Sequence, residues 1–123
     1  LARRVDLRAL GLDIEVAVPL ESGLWPTVLT PLEIATLDAL PQAERGLRAM
    51  VMFSAKECAY KCQYPITGAF LDFSAMEVRM DLEISEFTCF FTRPVGEFAV
   101  GYPLVGRISV TGGMIVTALK IEI

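Results

Sequence analysis

A chain of 123 residues, 54% hydrophobic and 21% charged, is one domain's worth of polypeptide, long enough to bury a sizeable core. Its net charge of −4 excludes a phosphate-tracking nucleic-acid groove, and its lack of any histidine excludes every mechanism that uses imidazole as acid, base or ligand. No apolar run approaches the ~20 residues of a membrane helix, so neither nucleic acid nor a membrane is an expected partner.

The chain opens in a basic, apolar stretch, LARRVDLRALG, without a methionine or a signal-peptide pattern, and is expected to be a piece of something longer. LGLDIEVAV at 10–18 alternates: Leu12, Ile14, Val16 and Val18 point one way, Asp13, Glu15 and Ala17 the other. This predicts a strand ending at Pro19, with the acids on its exposed face. In TPLEIATLDAL, Thr30 is placed to cap, Pro31 suits the first helical position, and Glu33 completes a capping box. A long helix is predicted from about Pro41 to Tyr64, stopped by Pro65, with Leu47, Val51, Ala55, Cys58 and Cys62 as its core stripe. AMEVRMDLEIS then alternates from Met76 to Ile84 as a half-buried strand, and FTCFFTR at 87–93 is a second. VGRISV and MIVTALKIEI, joined through Gly112 and Gly113, form a hairpin. Strand, helices, then several strands predict an α+β domain with a long helix against an antiparallel sheet.

Cys58, Cys62 and Cys89 are odd in number and have no histidine to complete a zinc set. They read as small buried apolar side chains in a reducing compartment, which makes the expected location cytoplasmic. The chemistry lies elsewhere. Asp13 and Glu15, two apart on a strand, share a face. On the long helix Ser54, Glu57 and Lys61 share another, with Lys56 one position round. Alone, Glu57 and Lys61 are an ordinary surface pair worth a few tenths of a kcal/mol. Together, three carboxylates with lysines alongside have the composition of a Mg²⁺ site serving a phosphate or pyrophosphate.

GLDIE at 11–15, followed by FSAKECAYKCQYP at 53–65, resembles the paired signature of the 4′-phosphopantetheinyl transferases. Phe53, Ser54, Lys56, Glu57 and Lys61 stand in the helical motif, with Cys58 where Ala or Ser is more usual. The downstream strands are similar to the tail of the two-lobed, enterobactin-synthase-associated branch. The resemblance implies Mg²⁺-dependent transfer of phosphopantetheine from coenzyme A to a serine of an acyl or peptidyl carrier protein, releasing adenosine 3′,5′-bisphosphate. It places Asp13, Glu15 and Glu57 on the metal and Lys56 and Lys61 on the phosphates. Glu57 or a metal-held water would take the serine proton. The chain would be the C-terminal lobe only, active against a missing N-terminal lobe or another copy of itself, and of low activity alone. A short trimeric holo-acyl-carrier-protein synthase and a non-catalytic scaffold of the same fold are the alternatives.

Overall fold

A computed structural model describes residues 7–122; the first residues of the basic opening stretch lie outside the described residues. Strand β1 (Leu7–Val16) is followed by a one-turn helix α1 (Trp25–Val28), helix α2 (Pro31–Asp38) and the long helix α3 (Gln42–Thr67). Strands β2 (Met76–Asp81), β3 (Glu86–Phe91), β4 (Pro103–Thr111) and β5 (Met114–Glu122) complete the chain. The sheet order is β1-β5-β4-β3-β2, antiparallel throughout, so the last strand lies beside the first. This is the expected α+β architecture.

Local chemistry sets the element ends. The capping box at α2 forms: Thr30 accepts from the Glu33 backbone N–H, and Glu33 accepts from that of Thr30. Helix α3 runs past Pro65, contrary to the predicted stop. A proline so near the C-terminus forfeits one helical hydrogen bond, and the end is made instead by Gly68, left-handed at φ 68°, whose N–H bonds to the Tyr64 carbonyl. Strand β2 stops three residues short of the alternating pattern. Leu82 and Ile84 sit exposed in the turn to β3, where Asp81 accepts from the Glu83 N–H and Ser85 adopts φ 53°. The β4–β5 turn is the predicted one, with Gly112 and Gly113 at φ 60° and 74°.

Helix α3 lies across β1 and β5 and buries Val51, Ala55, Cys58 and Cys62 against Phe87, Ile115 and Leu119. Leu47, the first residue of the predicted stripe, stays exposed. All three cysteines are free and buried. Burial pushes the Cys58 thiol up to about 12 and that of Cys62 to about 11, and raises Cys89 further. They are inert core groups, as their composition suggested.

Strand β1 is where sequence pattern and structure part. Its apolar face points to solvent: Leu10 is 65% exposed, Leu12 and Ile14 each 54%, and Val16 57%. The face carrying Ala9, Gly11, Asp13 and Glu15 turns inward against α3. The physical reason is Gly11. A Cβ there would fall on the Cys58 carbonyl oxygen and stand 2.7 Å from the Cys62 Cβ. Only a bare backbone lets β1 approach α3 this closely, so the glycine face is the packed one and the acids two and four residues on go with it.

Candidate metal and phosphate site

Inward-facing Asp13 pairs in register with Thr117 of β5. Thr117 is fully buried and anchors the helix to the sheet: its hydroxyl lies 2.9 Å from Ser54 Oγ and donates to the Ser54 carbonyl at 3.1 Å. Ser54 is thus on the packed side of α3 and does not share the functional face expected for it. Further along, Lys61 donates from Nζ to Asp13 Oδ1 at 2.8 Å and reaches the Leu12 carbonyl at 3.4 Å. The surface pair expected between Glu57 and Lys61 is replaced by this longer-range one.

Asp13 is only 4% exposed, and its Oδ2 has no hydrogen-bond partner, the one such buried side-chain atom among the described residues. Stranding a carboxylate oxygen in this way costs about 1–3 kcal/mol or more. Its neighbours feel it. Burial foremost, and then the charges of Asp13 and Glu57, lift the Glu15 carboxyl to about 7. Burial and the Asp13 charge also raise Glu57, with Lys61 opposing. Lys61 is held above the usual ammonium value, first by its bond to Asp13 and then by the charges of all three acids. Three carboxyls and one ammonium therefore feel one another's charge.

Such an excess of negative charge around an orphaned oxygen fits a divalent cation with oxygen ligands. The acids form no cage: among the described residues no three acidic, cysteine or histidine side chains stand at metal-binding spacing. Lys61 occupies Asp13 Oδ1 instead.

Lys56 is not brought into this group. It is 3% exposed, and its Nζ lies 2.8 Å from Glu33 Oε1 and 6.0 Å from the Phe73 ring centre. Together with Glu57, Tyr60, Leu71, Asp72, Phe73 and Met76 it lines a cavity of about 230 Å³. Two structural features carry no signal in the spacing of the sequence: the tight approach of Gly11 to α3, and the partnership of Glu33 with Lys56 and Val78 beyond its helix cap, both of which need the fold.

The model of the 4′-phosphopantetheinyl transferase superfamily matches residues 9–100, which include Asp13 and Glu15 of β1 and the whole of α3. The chain belongs to this superfamily. It is 34% identical to the 4′-phosphopantetheinyl transferase Svp of Streptomyces mobaraensis over 98% of its own length and 50% of Svp's. It is 30% identical to PptT of Mycobacterium tuberculosis over 95% of its own length and 54% of PptT's. The chain thus spans about half the length of the curated relatives it matches. Among solved structures, a holo-(acyl-carrier-protein) synthase from Bacillus anthracis, in complex with CoA (3′,5′-ADP), superposes with a TM-score of 0.61 at 20% identity, covering 95% of this chain and 97% of that one. The holo-ACP-synthase of Plasmodium yoelii matches with the same TM-score at 19% identity, covering 94% of each. These two share the fold.

Proposed function

We propose that the protein transfers 4′-phosphopantetheine from coenzyme A to a serine of an acyl or peptidyl carrier protein, and that this chain is the lobe that holds the metal and the pyrophosphate. The observation that carries the proposal is the unpartnered Asp13 Oδ2 within the field of Glu15, Glu57 and Lys61. Asp13, Glu15 and Glu57 would hold Mg²⁺, which when bound neutralises charge on the diphosphate. In the reaction the serine oxygen bonds to the phosphorus that carries pantetheine, and the bond from that phosphorus to the bridging oxygen breaks. Adenosine 3′,5′-bisphosphate leaves. Lys61, half-exposed and firmly charged, supplies a point charge for the phosphate oxygens. Glu57 is the protein group assigned to receive the serine proton. Lys56, buried against Glu33, is not assigned to phosphate.

The outward face of β1, with Val105 of β4 and Met114 of β5, is an apolar surface on the opposite side of the strand from the acids. Contiguous apolar surface of this kind marks an interface. We assign it to a further lobe of the same polypeptide, which completes the coenzyme A site. A second copy of this chain is the competing occupant. The decisive experiment is incubation of the full-length protein with CoA, Mg²⁺ and an apo carrier protein, read by intact mass. A gain of one phosphopantetheine that disappears in Glu57→Ala supports the proposal; no gain, or a gain indifferent to Glu57→Ala, overturns it.

A further inference from the structure

Glu33 is 1% exposed, yet its carboxylate takes three donors. Oε1 accepts from the Thr30 backbone N–H at 2.8 Å and from Lys56 Nζ at 2.8 Å, and Oε2 accepts from the Val78 backbone N–H at 2.6 Å. The capping box accounts only for the first. One side chain therefore ties the start of α2, the middle of α3 and the edge strand β2 to a single point. A buried ion pair is a poor way to stabilise a fold, because desolvating two charges offsets most of their attraction, and apolar residues of similar volume often do as well. What it gives is a fixed geometry, since breaking it strands a charge.

That geometry bears on the site. Lys56 immediately precedes Glu57, and the two line the same cavity. On the other flank of α3, Lys61 is tied to Asp13. Glu57 thus lies between two anchored lysines, one fixed to α2 and β2, the other to β1. We propose that Glu33 is a positioning residue of the transfer site, acting through Lys56 to set the stretch of α3 that presents Glu57, and that the Lys56 ammonium is engaged by Glu33 and not by the CoA diphosphate. The inference rests on the transferase reading above.

The test measures kcat and KM for CoA in the full-length protein, normalised to folded protein by circular dichroism, for Glu33→Gln, Lys56→Met and the double variant. Small displacements of reacting groups cost on the order of 10- to 100-fold in rate, and each single variant should lose kcat in that range. The double variant should lose no more than the worse single, because both remove one device. KM for CoA should stay within about twofold of wild type in all three. A rise of about tenfold in KM with Lys56→Met but not Glu33→Gln would put Lys56 on the phosphates and overturn the inference. Unchanged kcat with only a lower melting temperature would also overturn it, by reducing the pair to a structural one. Glu33→Asp keeps the charge but shortens its reach, so it guards against misfolding of the neutral variants. It should fold and still lose kcat at constant KM, and full kcat there contradicts the assignment. Absence of transfer by the wild type removes the transferase reading, and the inference with it; an active wild type with indifferent variants removes the inference alone.

Discussion

The two faces of β1 are built from opposite materials, and in the opposite sense to a simple soluble strand. The inward face holds a glycine and two acids against a helix; the outward face holds Leu10, Leu12, Ile14 and Val16 in the open. Hydrophobic burial within this chain alone would turn the strand over, since a slip of one residue exchanges the faces. What prevents this is steric fit at Gly11 and the Lys61–Asp13 bond. On the function proposed above, polarity on the inside of the strand serves chemistry and apolarity on the outside serves assembly.

Substitutions that break the inward face should have the largest effect. Asp13→Asn keeps the shape but removes a formal charge and weakens the hold on Lys61. Loss of one preorganised electrostatic group costs on the order of 10²–10³ in kcat, and carrier modification followed by intact mass over time should fall by that factor. Gly11→Ala acts on the fit itself. Its Cβ meets helix backbone and the Cys62 Cβ, which have little room to give, so urea unfolding should show a loss of about 1–3 kcal/mol.

A smaller effect comes from Glu15. Its carboxyl titrates near 7 in the folded chain against an ordinary value of 4.5. The folded state therefore holds the proton more tightly than the unfolded one, and the stability this contributes is present at acid pH and lost as pH rises through 7. Melting temperatures in the absence of divalent ions should decline across that window, and Glu15→Gln should flatten the decline. Added Mg²⁺ should reverse it, because the ion needs the deprotonated acid. On the outward face, Leu12→Thr and Ile14→Thr should change the stability of this lobe by no more than about 0.5 kcal/mol, as exposed positions do. They should weaken its association with the rest of the polypeptide, measured by co-purification of separately expressed halves. A marked loss of lobe stability with intact association would reverse the roles of the two faces.

Much of this molecule was legible beforehand, because local chemistry coincided with global fold. The Thr30–Glu33 capping box, the Gly112–Gly113 turn and the alternation of β2 from Met76 to Met80 each express a short-range rule that tertiary contacts leave alone. The misreadings share a cause in long-range packing. The alternation of β1 gave its period correctly but not which face was buried, since that depends on a surface beyond the strand. Pro65 signals a helix end, but α3 carries enough buried contacts to run two residues beyond it. In the site, residue type and spacing brought Asp13, Glu15, Glu57 and Lys61 to attention. The burial of Lys56 depends on Glu33, twenty-three positions away, and no spacing rule connects them.

The central question is whether the carboxyls of β1 and α3 jointly grip a cation together with a diphosphate. Calorimetric titration of Mg²⁺ into the full-length protein, with and without CoA, in wild type, Asp13→Asn and Glu57→Gln, measures this directly. We predict one ion per active site, bound more tightly when CoA is present, and weakened by about tenfold or more in either variant. Equal Mg²⁺ affinity in all three proteins, indifferent to CoA, would contradict it.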